Sequence, residues 1–171
     1  AEILSDYDDR NVITHMPDLS WWDESAIDDY LSVCEALLLP QTTVLVGNYG
    51  TLSRWLLPDW EDPSPPGPRE IARAAAHYGT GFVLVTGMQS DDGHLESHLA
   101  TATAALSNAR YARIFYTFVD TGDTLSAVLA GLMAREMDIE SAAIEALDYV
   151  DQCLQHGYPL GMGHAVPDRM F

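Results

Sequence analysis

The run Val119-Asp120-Thr121-Gly122-Asp123-Thr124-Leu125-Ser126-Ala127 combines the residue types of an anion site with a nearby proton acceptor. It passes from a strand-like apolar residue into the start of an amphipathic helix. The first amides of a helix have no partner within it and carry partial positive charge, so they suit an anion. Thr121 and Gly122 are small enough to let a phosphate reach the backbone. Asp123, in the first turn beside that site, could accept the proton of a hydroxyl as it attacks a phosphoryl group. The plainer alternative makes Asp123 and Thr124 a cap and a first-turn residue and nothing more. On pattern alone the plainer alternative is the commoner one.

Other sets of reactive residues carry less. His94, Glu96 and His98 project to one face of a strand and are the right types for a metal, but they lack the H-E-x-x-H order. An edge face of this kind is more often simply solvated. Gly161-Met162-Gly163 has no strand before it and no helix after it, so it is no dinucleotide fingerprint. Trp21-Trp22 could stack on a ring, although loop aromatics more often pack on the core or a partner. A phosphate loop ending in G-K-S/T is excluded because the chain has no lysine. No G-x-S-x-G elbow supports a serine triad.

Composition narrows the class further. The 171 residues are read as one domain, 1–171, with room for a core. Eight Lys+Arg, all arginine, against 26 Asp+Glu leave a formal charge of −18. That balance excludes a basic nucleic-acid binder and argues against docking on anionic membranes. A hydrophobic share of 47% is too high for a disordered acidic tail. There is no apolar run of membrane-spanning length and no basic-then-apolar leader pattern at the start. Cys34 and Cys153 are far apart in sequence and read as two reduced thiols of a cytoplasmic protein.

The elements that must position Asp123 alternate along the chain. Val12-Ile13-Thr14, Thr42–Val46 and Gly81–Val85 are apolar strand signals; Asp23–Leu38, Thr51–Leu57 and a segment opened by Pro68 and closed by Gly79 are helical. Strands apolar on both faces, alternating with helices, require a parallel sheet covered on both sides. Five of the nine prolines fall in Pro58–Pro68, an exposed loop. His94–Ala104 and Ala109–Val119 read as an antiparallel edge hairpin turning at Ser107-Asn108. Two periodic helices follow, one starting at Asp123 and one capped by Asp138, before a Gly/Pro-rich tail. Ala1, Ile3 and Leu4 sit at helical spacing, which suggests a chain entered within a helix.

These motifs resemble the ribokinase superfamily in sequence order over nearly the whole chain. TGDTLSAVLAGLMA, the helix IESAAIEALDYV and the tail PLGMGHAVPD are similar to the end of that fold. The resemblance is closest to the hydroxymethylpyrimidine and phosphohydroxymethylpyrimidine kinases of thiamine biosynthesis. ALLLPQTTVLVGNYGTLSRWLL and HYGTGFVLVTG resemble earlier parts of the same family. The resemblance implies a three-layer α/β/α sheet, mostly parallel, with an antiparallel edge hairpin and the N-terminal part of the fold missing. It implies Mg²⁺ and ATP, a small-molecule pyrimidine substrate, and phosphorylation of its hydroxymethyl group. Asp123 falls at the general base, Asp120, Thr121 and Gly122 at the anion hole, and Asn48, Thr86 and Gly87 at the nucleotide side. His164 lies in the family-like tail, where the resemblance offers a place near the nucleotide and the plainer alternative is a tail residue packing on the surface.

The sequence departs from that pattern at four places. Thr51 stands where N-x-x-E has its glutamate, Asp120 replaces the first glycine of the anion hole, Thr14-His15-Met16 replaces an Asp-Pro, and Thr86 stands where a lysine is frequent. Two unit charges about 4 Å apart repel by about 4 kcal/mol at an effective dielectric of about 20, so Asp120 must be turned away or neutralised. The missing half leaves a sheet edge bare and implies a homo-oligomer or association with that half. An Asp in the TGD run also fits a pyridoxal-type kinase. A non-catalytic relative that senses a ligand or takes part in assembly is the remaining alternative.

Overall fold

The apolar runs become the centre of one sheet. The computed structural model describes residues 3–6 and 9–171. Strands β1 (Ile13–Met16), β2 (Val44–Asn48), β3 (Phe82–Gln89), β4 (Leu95–Ala100) and β5 (Ala105–Tyr111) lie side by side in that order. β1, β2 and β3 are parallel, β4 is antiparallel to β3, and β5 is antiparallel to β4. The carboxyl ends of β1, β2, β3 and β5 therefore share one edge.

Side chains alternate across a strand, and that alternation builds two cores. Met16, Leu45, Val83, Val85 and Ala100 face α1 (Glu24–Val33), α2 (Tyr49–Leu56) and α3 (Pro68–Ala76), packing against Leu52, Ile71 and Ala75. Val44, Val46, Leu84 and Leu99 face α4 (Thr121–Met133) and α5 (Ile139–Gln155), against Leu125, Leu129, Ala143 and Ala146. The result is the expected three-layer α/β/α arrangement, mostly parallel with an antiparallel hairpin at one edge.

Local chemistry sets the helix ends. Asp23 accepts from the amide of Ala26 and Asp138 from that of Ser141, each at an N-cap. These amides hold both carboxyls below the usual carboxylate range. A depressed folded value adds stability above the unfolded value and loses it as pH falls through the folded one, so both caps weaken in acid. Pro68 is the first residue of α3, and Gly79 beyond its end has φ +101°.

Several expectations need correction. The edge hairpin does not turn at Ser107-Asn108: Ser107 pairs with Leu99 and Asn108 with His98, inside β5. The turn lies at Thr101–Ala104, where Thr101 Oγ1 accepts from the amides of Thr103 and Ala104 and does the work expected of Asn or Gly. Residues beyond Tyr111 do not continue the strand; only Phe118 bridges, in parallel, to Ala165. The expected helix over Asp23–Leu38 ends at Val33 and widens into a π turn, Cys34–Leu38. At the start, Leu4–Asp6 form a 3₁₀ turn, and Ala1 lies outside the described residues. Two short strands, β6 (Tyr158–Pro159) and β7 (Ala165–Val166), pair within the tail. Cys34 and Cys153 are both buried and free. Among the described residues, no helix is long and apolar enough to cross a membrane.

Leu129 is fully buried between α4 and the sheet. Leu129→Ala is expected to cost about 2–5 kcal/mol, read as a lower urea midpoint with an unchanged slope.

Candidate functional site

α4 begins where the sheet's carboxyl edge meets its second helical layer. Asp120 is the N-cap residue, in the left-handed region at φ 56°, ψ 20°. Glycine enters that region at no steric cost, and Asp is among the few other residues that visit it. The Asp120 carbonyl accepts from the amide of Thr124 at 3.0 Å and from Thr124 Oγ1 at 2.8 Å, closing the first turn. Its carboxylate makes no capping bond and is exposed. Among the described residues, nothing pairs with the amides of Thr121, Gly122 and Asp123. The acid at this position therefore does not fill the expected anion site.

The nearest side chain comes from β1. Ile13 packs toward α4 and α5 and Met16 toward the opposite layer, so alternation places His15 on the α4 side. His15 Nδ1 lies 2.9 Å from Asp123 Oδ1. The imidazole also lies against Gly122, where a Cβ would come 2.1 Å from His15 Nε2. Gly122 is thus small for a reason the sequence did not disclose: it makes room for a histidine. Asp123 is 70% exposed and His15 23%. A hydrogen bond this open to solvent contributes at most about 1 kcal/mol to folding, so its consequence is orientation rather than stability.

Asn48, Thr86 and Gly87 meet at the same edge. Asn48 and Thr86 are register partners, and a bulge between Val85 and Met88 takes in Thr86 and Gly87. Asn48 Oδ1 caps α2 by accepting from the amide of Gly50 at 2.9 Å. Thr86 Oγ1 donates to the Gly47 carbonyl at 3.3 Å. Gly87, at φ +72°, packs so closely that a Cβ would lie 2.6 Å from Asn48 Nδ2. No hydrogen bond joins this group to the His15–Asp123 pair among the described residues.

The remaining candidates stand apart. His98 pairs with Glu96 at 3.1 Å, whereas His94 pairs with Asp92 and Arg110, so the three do not converge. Among the described residues, no group of three or more His, Cys, Asp or Glu could hold a metal ion. Trp21 packs edge-on against Trp22, and Trp22 against Tyr30. His164 is exposed in the tail. A cavity of about 600 Å³ opens between α1, α2 and the Asp18–Ser20 loop, lined by Thr51, Arg54 and Glu35 on the other helical layer. Sequence reasoning missed both His15 and Arg169. Arg169 Nε donates to Thr124 Oγ1 at 2.9 Å and brings a cation from the tail to the start of α4.

A mostly parallel sheet between two helical layers, with a helix start at its carboxyl edge, defines this as a ribokinase-like fold. The Bacillus subtilis pyridoxal kinase–ADP complex superposes with a TM-score of 0.78 at 17% identity, covering 98% of this chain and 66% of that one. The Staphylococcus aureus pyridoxal kinase in complex with AMP-PCP and pyridoxal gives 0.77 at 13%, covering 98% and 63%. These likenesses establish the fold, and this chain spans slightly less than two thirds of each. Residues 21–168 match the phosphomethylpyrimidine kinase family, and the chain belongs to it. No curated protein matches the sequence.

Gly87→Ala forces a side chain into the left-handed region and against Asn48. It is expected to cost about 1–3 kcal/mol in chemical denaturation.

Proposed function

We propose that this chain carries the phosphoryl-transfer edge of a kinase that moves the terminal phosphoryl group of ATP to the hydroxymethyl group of a pyrimidine, a thiamine precursor. The carrying observation is Asp123 in the first turn of α4, held by His15 and beside the amides of Asp120, Thr121 and Gly122, which have no partner among the described residues. Family membership over residues 21–168 supports the reaction class.

In this reading the substrate hydroxyl gives its proton to the Asp123 carboxylate as its oxygen attacks phosphorus. The amides of Asp120, Thr121 and Gly122 hold the developing charge; such donors are worth about 3–4 kcal/mol each. Asn48, Thr86 and Gly87 lie on the nucleotide side.

The described residues fit a phosphate better than they fit a dedicated magnesium cage. Thr51 offers no carboxylate, Asn48 Oδ1 is engaged by Gly50, and no acidic or histidine triad is present among them. Asp120, exposed and free of capping, is the carboxylate the chain offers to a magnesium ion carried on the phosphates. When bound, that ion would neutralise phosphoryl charge.

A second reading is a pyridoxal-type kinase. It shares the chemistry, a hydroxymethyl group on a nitrogen heteroaromatic ring, and is supported by Asp at position 123 and by the fold of the pyridoxal kinases.

Asp123→Asn should lower kcat by about 10²–10⁴-fold with little change in the KM for ATP. Mg–ATP at about 100 times its Kd should add about 2.7 kcal/mol to stability. No thermal shift at millimolar nucleotide, or full turnover by Asp123→Asn, would overturn the assignment.

A further inference from the structure

We infer that His15 is a positioning residue for Asp123, a role that rests on the phosphotransferase reading above. The two residues are 108 positions apart, yet Nδ1 and Oδ1 lie 2.9 Å from each other. With its proton on Nδ1, the imidazole donates to Oδ1. Among the described residues no other group bonds this carboxylate, so Oδ2 is left as the proton acceptor.

An exposed Asp in a helix first turn has several staggered side-chain positions open to it. The bond to His15 selects one of them. The imidazole is itself held on two sides: its backbone belongs to β1, paired with Val46 of β2, and its ring rests against Gly122. A base oriented by a third group, itself carried on a strand, is the usual way of keeping a proton acceptor in place.

The step balances without a further reactant. The substrate O–H bond breaks and its proton passes to Asp123 Oδ2. The freed oxygen bonds to the γ-phosphorus as the bond from that phosphorus to the β–γ bridging oxygen breaks, and a nucleoside diphosphate leaves. His15 exchanges no proton in this sequence; it only sets which carboxylate oxygen faces the hydroxyl.

The test uses the full-length protein and separates packing from hydrogen bonding. His15→Leu retains bulk without a donor, whereas His15→Asn puts an amide nitrogen where Nδ1 was. His15→Leu should lower kcat about ten- to hundredfold with the KM for ATP within about twofold, and His15→Asn should recover most of the loss. Unchanged kcat in His15→Leu, or no recovery in His15→Asn, overturns the role. A second readout does not depend on turnover: ¹H–¹⁵N spectra of the imidazole should show an Nδ1-protonated ring that Asp123→Ala abolishes. An Nε2-protonated ring in the wild-type protein overturns the role directly. Failure of the phosphotransferase reading looks different, with no transfer by the wild-type protein while the Nδ1-protonated ring persists; the role then falls with the reaction.

Discussion

Where α4 starts, and which way its first amides face, is decided by packing far from those amides. Leu125, Leu129 and Leu132 sit on the face of the sheet made by Val44, Val46 and Leu84. With that face buried, the helix axis is fixed and its first turn must stand at the sheet's carboxyl edge. The left-handed backbone of Asp120 then brings the chain in without covering the amides. Alternation along β1 does the rest: the register that buries Met16 on one layer presents His15 to the other. A one-residue slip of β1 would reverse both. The candidate site is therefore a consequence of core packing rather than of local sequence alone.

Charge shapes what this edge can hold. A chain of net charge −18 with no lysine has little long-range attraction to offer a phosphate. The favourable field at α4 comes instead from backbone dipoles and acts within about one turn. Asp120 and Asp123 oppose it, but Asp120 is exposed and bonds none of the amides, so water screens much of the repulsion that its sequence position implied. Arg169 adds a cation to the first turn through Thr124, while the tail around it is tied to α5 by the Tyr149 hydroxyl on the Arg169 carbonyl and the Asp168 amide on the Cys153 carbonyl.

How much of this could be read from sequence depended on the range of the interaction. β2 and β3 were legible because runs such as TTVLV and GFVLV are apolar on both faces, and the layered class follows from their alternation with helices. The cap of α5 at Asp138 and the opening of α3 at Pro68 were legible because they involve neighbours in sequence. The hairpin turn was not, since a threonine hydroxyl at position 101 performs a task usually signalled by Asn or Gly. Asp123 could be placed at a helix start from its local run. Its partner could not, because nothing near either residue records a contact across 108 positions. Thr14-His15-Met16 stood out only as a departure from a familiar pattern, and Gly122 only as a small residue.

The position of His15 has a structural consequence of its own. Among the described residues β1 is a four-residue strand paired on one side only, so the His15–Asp123 pair stands at the margin of the five-stranded sheet, not at its centre. An unpaired strand edge accepts another strand readily. The solved relatives are longer than this chain, with about a third of each unmatched by it. Any strand joining β1 on its open side brings its residues next to His15. The amides at the start of α4, Asp123 and the Asn48–Thr86–Gly87 group all belong to the described sheet edge, and His15 is the member of the site that stands on its open margin.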